Sequence, residues 1–174
     1  MKNTWIKVKL FSPRMKIANI QFNKEEILKN IKQNIDASIL LFPELSLTGY
    51  TCQDLFFQKS LLDESVRALT DIATETKEIE NTIILGLPIS YQNKLYNCAA
   101  YLSNGKILGI VPKIHIPNYS EFYEARWFAS GKDIRNRTIR LNGEEIPFGI
   151  DLLFEDRNNH ATIATEICED LWVP

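Results

Sequence analysis

The stretch "YNCAAYLSNGKILGIVPK" (96–113) decides the fold. Two apolar runs flank Asn104-Gly105, a pair that tolerates positive φ at both positions of a two-residue turn, so the stretch predicts a β-hairpin. Before it, "NTIILGLPI" (81–89) and "SILLF" (38–42), the latter ended by Pro43, read as strands buried on both faces. Further back, "WIKVKLF" (5–11) alternates like a half-buried strand, and "MKIANI" (15–20) is expected to continue the sheet after Pro13. After the hairpin, a second Asn-Gly at 142–143 separates "TIRL" from "EEIPFGI" and predicts another, and "ATIATEI" (161–167) is the last strand.

Two helices fall between the early strands. "NKEEILKNIKQNI" (23–35) has Ile27, Leu28, Ile31 and Ile35 on one stripe, with Asn23 as the expected cap and Glu26 three residues on. The second helix is expected over 60–79, with Leu62, Val66, Leu69, Ala73 and Ile79 near helical spacing. The order strand, helix, strand, helix, then mostly strands predicts an α/β (α+β) fold in two layers, with the longest apolar strands central.

Composition sets the class. The chain has 174 residues, enough for one domain, and its 45% hydrophobic and 24% charged content is that of a soluble globular protein. A net charge of −2 gives no concentrated basic face for nucleic acid or an acidic membrane. Arginines in "DIRNRTIR" (133–140) are interleaved with other residues and read as a solvated loop or strand edge. The amino terminus, "MKNTWIKVKL", lacks the pattern of a secretory signal, and no stretch reaches the roughly 18 apolar residues of a membrane span. Cys52, Cys98 and Cys168 are an odd, sparse set without metal spacing, which points to reduced thiols in a cytoplasm. With His115 and His160 the only histidines, a Cys/His zinc site is not expected.

Three reactive side chains sit just past strand ends. Glu44 follows "SILLFP", Lys113 follows "KILGIVP" and Cys168 follows "ATIATEI", and the carboxyl ends of strands are where α/β folds gather their sites. Singly, each is also explained by a chain reaching water or a small residue packing in a core. Together they make a nucleophile system. A thiol needs a base to become a thiolate, a carboxylate can serve, and an ammonium can steady a developing oxyanion. That is acyl transfer without histidine.

"LLFPELSLTGYTCQDLFFQ" (40–58), "VPKIHIPNYSEFYEARWF" (111–128) and "TEICEDLWVP" (165–174) resemble the three catalytic blocks of the nitrilase-type amidase superfamily. More narrowly, they resemble the glutaminase domain of glutamine-dependent NAD synthetases, over essentially the whole chain and in the same order; "FGIDLLFE" (148–155) fits as well. The resemblance implies a four-layer α-β-β-α sandwich, incomplete in this chain, with 1–174 as the amino-terminal part of the domain. It implies that Glu44 is the general base, Lys113 stabilises the tetrahedral intermediate, and Cys168 attacks the side-chain amide of glutamine. Glu121 would orient the site, and Tyr119 and Glu169 would help to hold glutamine, with the Glu169 N–H also available to the oxyanion. Bland readings stand beside these: a surface aromatic for Tyr119, a helix-terminal charge for Glu121, solvated acids for Glu169 and Asp170, a turn and a packing ring for Gly49 and Tyr50.

The amidase chemistry implies no cofactor. The ammonia would serve an absent synthetase part that uses ATP and Mg to amidate nicotinic acid adenine dinucleotide, within a homo-oligomer when complete. The missing strands predict exposed apolar sheet surface, poor solubility or an oligomer that hides it, and little turnover from this chain alone. A free-standing amidase acting on another small amide, or a catalytically silent interaction fragment, are the competing expectations.

Overall fold

The computed structural model describes residues 5–156 and 161–173, so His160 lies outside the described residues. A seven-stranded sheet runs in the order β1-β2-β3-β4-β5-β7-β6. Its strands are β1 (Val8–Leu10), β2 (Ile39–Leu41), β3 (Thr82–Tyr91), β4 (Lys94–Ser103), β5 (Lys106–Pro112), β6 (Arg137–Leu141) and β7 (Glu144–Phe148). β1, β2 and β3 are parallel neighbours, β3, β4 and β5 form an antiparallel meander, and β7 pairs parallel to β5 at Ile110↔Phe148.

Two-residue turns set the meander's register. Asn104 (φ 49) and Gly105 (φ 77) join β4 to β5, and Asn142 (φ 48) and Gly143 (φ 91) join β6 to β7, as both Asn-Gly pairs predict. A third such turn, Gln92 (φ 47) and Asn93 (φ 61), joins β3 to β4 without the glycine that would have marked it.

Alternation along β3 shows how the sheet is buried. Ile83, Leu85 and Leu87 join the larger core beneath α1 (Ile20–Lys32) and α2 (Lys59–Glu75), against Ile27, Ile31, Leu69 and Ile72. Ile84 faces the other way, with Ala99, Tyr101, Val111 and Ile167. Side chains change face at every strand residue, so a run apolar throughout reports cover on both sides.

The second face is covered by a small antiparallel pair, β8 (Phe154–Asp156) and β9 (Ala161–Ile163). Phe154 stacks on Tyr101 with ring centroids 3.6 Å apart, and the Tyr101 hydroxyl hydrogen-bonds Thr165 Oγ1. The last strand is therefore shorter than the expected 161–167 and lies outside the main sheet: past Ile163 the chain leaves the ladder to bury Ile167 against the sheet. Helices, one large sheet and this thin cover make up the described part of the sandwich. Large apolar side chains remain exposed at the β1 edge, with Leu10 72% exposed, and in the last turn, with Trp172 77% exposed.

Further local expectations are corrected. Residues 15–19 form a turn and do not continue the sheet, because Ile20 is buried as the first residue of α1. Asn19 caps that helix, accepting from the Phe22 N–H at 3.0 Å. The expected cap, Asn23, is fully buried one turn in, where its amide accepts from the Lys16 N–H and donates to the Lys16 and Leu47 carbonyls. Ile35 falls beyond the helix and is exposed. α2 ends at Glu75, and its buried stripe is Leu61, Ser65, Ala68, Leu69, Ile72 and Ala73. Leu69 and Ala73 are shared with the expected stripe, while the helix phase puts Leu61 and not Leu62 at its start. No helix among the described residues is long and apolar enough to cross a membrane.

Candidate active site

Glu44 leaves the end of β2 on a tight turn. The Phe42 N–H still donates to the Ile84 carbonyl, and then Leu45, at φ 52, and the Ser46 N–H, bonded to the Pro43 carbonyl, fold the chain back on β3. Gly86 makes that approach possible. A Cβ there would lie 2.2 Å from Leu45 N and 2.8 Å from the Pro43 carbonyl oxygen. Ser46 Oγ accepts from the Gly86 N–H, and the Leu47 N–H donates to the Gly86 carbonyl, so the turn carrying Glu44 is clamped to the sheet.

Lys113 follows β5. Its N–H donates to the Asn97 carbonyl of β4, and its own carbonyl accepts from Gly131. The side chain is fully buried. An ammonium has three protons, and here they have two carboxylates to meet: Nζ lies 2.8 Å from Glu44 Oε1 and 3.0 Å from each oxygen of Glu124. Burial pulls the lysine pKa down, but attraction and hydrogen bonds from Glu44 and Glu124 more than offset it, leaving the group above its ordinary value. Two acids share this one cation, so one carboxylate ionises less readily. Glu124 is held above the usual carboxylate range, chiefly by burial, against the hydrogen bonds from Tyr50 and Lys113.

Asn97 donates to Glu44 Oε1 at 2.5 Å, and the Tyr50 hydroxyl donates to Glu124 Oε1 at 2.6 Å. Burial, then the carboxylate beside it, pushes the Tyr50 phenol well above its ordinary pKa, so it remains a donor.

Cys168 opens a 3₁₀ turn, Cys168–Trp172, and is itself at φ 52, an uncommon conformation for a residue with a Cβ. It is exposed, unlike Cys52 and Cys98. Cys168 and Glu44 both line one cavity of about 190 Å³, with Phe42, Gly86, Ala99 and Thr165. Partial burial raises the Cys168 thiol, Glu44 and Glu124 raise it further, and Lys113 and the Glu169 N–H pull it down; the net is a thiol that holds its proton more firmly than a free one. A carboxylate, an ammonium and a sulfur thus come together at one rim of the sheet, fed by β2, β5 and the segment after β9. Such a group can abstract a proton, attack a carbonyl and stabilise the oxyanion.

The supporting residues divide. The Tyr119 hydroxyl donates to Glu169 at 2.9 and 3.1 Å, so the two side chains expected near the substrate are paired with each other at the surface, where Glu169 is next in the chain to Cys168. Glu121, expected to orient the site, is exposed, and the 3₁₀ turn at Glu124–Arg126 turns Glu124 inward to the position beside Lys113. The acid that meets Lys113 lies three residues after Glu121, because residues 118–121 run along the surface before the chain dips. Sequence reasoning singles out no role for Asn97, and reads Tyr50 as a packing ring and Asp170 as a solvated acid. Tyr50 and Glu124 lie within the quoted blocks, but no periodicity marks an inward-facing residue in a loop.

A family model described as carbon-nitrogen hydrolase matches residues 16–174. Among curated relatives, the glutamine-dependent NAD(+) synthetase of Mycobacterium tuberculosis is 41% identical over 139 residues, which is 79% of this chain and 20% of the relative. That of Aquifex aeolicus is 36% identical over 159 residues, 91% of this chain and 24% of the relative. The chain thus spans about a fifth to a quarter of these relatives' length. The crystal structure of a glutamine-dependent NAD(+) synthetase from Cytophaga hutchinsonii superposes with a TM-score of 0.86 at 31% identity, over 95% of this chain and 28% of that one. An amidase of the nitrilase superfamily from Nesterenkonia shares the fold, with a TM-score of 0.58 at 18% identity over 80% of this chain and 53% of its own. Its fold is of the nitrilase type, and with the family model running from residue 16 to residue 174, the chain belongs to the carbon-nitrogen hydrolase family.

Proposed function

We propose that the chain is the amino-terminal part of a glutaminase that hydrolyses the side-chain amide of glutamine through a Cys168 thioester. The observation that carries this reading is the buried lysine bonded to Glu44, with Glu44 sharing a cavity with Cys168. Glu44 takes the thiol proton as the sulfur attacks the carboxamide carbon, and the carbonyl electrons move to oxygen beside the Lys113 ammonium and the Glu169 N–H. Collapse breaks the C–N bond, Glu44 returns the proton to nitrogen, and ammonia leaves a γ-glutamyl thioester. Water then loses a proton to Glu44 and adds to the thioester. The C–S bond breaks, the sulfur recovers its proton, and glutamate departs. The raised thiol pKa supports this order, because a thiol protonated at rest needs a base at the moment of attack. Glu124, itself held by the Tyr50 hydroxyl, holds the lysine in the role expected of Glu121, and Tyr119 with Glu169 forms the glutamine-binding mouth.

The ammonia serves a separate ATP- and Mg-using synthetase part that amidates nicotinic acid adenine dinucleotide, in a cytoplasmic homo-oligomer. That the relatives are glutamine-dependent NAD(+) synthetases supports the synthetase part of this reading. The amidase step itself calls on no cofactor, and the chain without the remainder turns over slowly.

Substrate profiling tests the reading. Ammonia release is measured with glutamine, asparagine and acetamide, on the chain alone and with the carboxyl-terminal remainder of a relative supplied. Glutamine is expected to be preferred by at least about tenfold, as for a site that hydrogen-bonds its substrate. Equal or faster release from acetamide would assign a free-standing amidase, and no release from any amide in either setting would assign a silent fragment.

A further inference from the structure

One buried carboxylate ties the segment after Lys113 to the segment before Cys168. Asp170 is 8% exposed, and its side chain serves three backbone donors. Oδ1 accepts from the His115 N–H at 2.6 Å and the Ile114 N–H at 3.1 Å; Oδ2 accepts from the Ile167 N–H at 3.2 Å. Oδ2 also lies 3.3 Å from the Ile114 nitrogen, and His115 Nδ1 lies 3.3 Å from Oδ1. Ile114 and His115 come directly after Lys113, and Ile167 directly precedes Cys168. The Asp170 N–H closes its own turn on the Ile167 carbonyl.

We propose that Asp170 is a positioning residue, a staple that sets the separation between the Cys168 sulfur and the Lys113 ammonium. Neither segment is in a ladder at this point, so these N–H groups need acceptors from elsewhere, and two carboxylate oxygens with about four lone-pair sites supply them. The staple is also what keeps Cys168 at positive φ against the relaxation open to an exposed turn. An asparagine has one acceptor oxygen. Turned toward Ile114 and His115, it sets its NH₂ against the Ile167 N–H, donor against donor, and the cysteine side of the staple opens. This rests on the thioester reading for its purpose, not for its geometry.

Two measurements test it. In Asp170→Asn, iodoacetamide alkylation of Cys168 is followed against pH by mass spectrometry. The freed thiol leaves the field of Glu44 and Glu124, so its midpoint falls toward the ordinary 9.0. Alkylation at neutral pH then accelerates severalfold, while capture by a glutamine-mimicking diazoketone falls by about tenfold or more. A role in bulk stability alone leaves the pH profile of the folded protein unmoved, and that result overturns the staple. The second measurement uses the unmodified protein and decides the question if the variant does not fold. The Ile114, His115 and Ile167 amides are expected to exchange at least about a hundredfold slower than free peptide; rapid exchange of all three overturns the proposal. Protected amides in a protein that hydrolyses no glutamine keep the staple and sink the glutaminase, and glutamine turnover with unprotected amides does the reverse.

Discussion

Replacing Lys113 by methionine removes the charge and keeps most of the volume, so its cost isolates the electrostatics of the cluster. The ammonium is fully buried, with Glu44 20% and Glu124 2% exposed by side chain. Without it Glu44 rehydrates at the cavity and keeps its bond from Asn97, so the cost falls on Glu124, left with Tyr50 alone. Glu124 then has two courses. Remaining ionised without a partner costs about 3–5 kcal/mol. Taking a proton at pH 7, about 2.5 units above the ordinary 4.5, costs ~3.5 kcal/mol at ~1.4 kcal/mol per unit.

Both courses put Lys113→Met about 3 kcal/mol below the wild type at pH 7, and protonation makes the loss pH-dependent. At pH 5, half a unit above the ordinary value, the same proton costs only ~0.7 kcal/mol. The sign follows from linkage: a carboxyl whose folded pKa is raised binds a proton that the unfolded chain has released, so stability declines as pH rises from about 4.5 toward the folded pKa. The wild type carries a weaker slope of the same sign, since burial already raises Glu124 there. Lysine stays charged throughout this window. Urea unfolding at fixed protein concentration, followed by tryptophan fluorescence at pH 5 and pH 7, reads the difference. Adding Glu124→Gln to Lys113→Met should restore about 2 kcal/mol at pH 7, because the unpaired acid is gone. An equal loss at both pH values, or a double variant as unstable as the single one, would refute the reasoning.

Glu44→Gln separates the base from the field it exerts: glutamine turnover falls by about 10²–10⁴, yet Cys168 alkylates faster at neutral pH, because the carboxylate that raises the thiol pKa is gone. A slower alkylation would show that Glu44 does not act on the sulfur. Gly86→Ala places a methyl group 2.2 Å from the Leu45 nitrogen, and overpacking against backbone of this kind costs about 1–3 kcal/mol; a thermal melt should fall accordingly and Glu44-dependent turnover with it, while an unchanged melt would contradict the clamp.

The long strands were legible because their code is local. β3, β4 and β5 are apolar runs bounded by turn residues, and Asn104-Gly105 and Asn142-Gly143 announce their turns by composition alone. Boundaries set by distant contacts were not. Asn23 looked like a cap because its amide suits one, but the Leu47 carbonyl and Lys16 claim that amide, and the helix starts a turn earlier. The convergence of Glu44, Lys113 and Cys168 in the candidate site was legible because each lies just beyond an apolar run. The contact of Glu124 with Lys113 was not legible, because choosing between two acids in an irregular loop requires knowing which one faces inward, and only the buried lysine shows that. Asp170 reads as a surface acid for the same reason, since two of its three backbone donors, Ile114 and His115, lie some 55 residues away.

Covalent capture tests the central claim most directly. The protein is treated with a glutamine-mimicking diazoketone, digested, and the modified residue located by mass spectrometry. One adduct per chain, on Cys168 and blocked by excess glutamine, is the predicted result. Labelling of Cys52 or Cys98 in preference to Cys168, or labelling of Cys168 that glutamine does not slow, would contradict it.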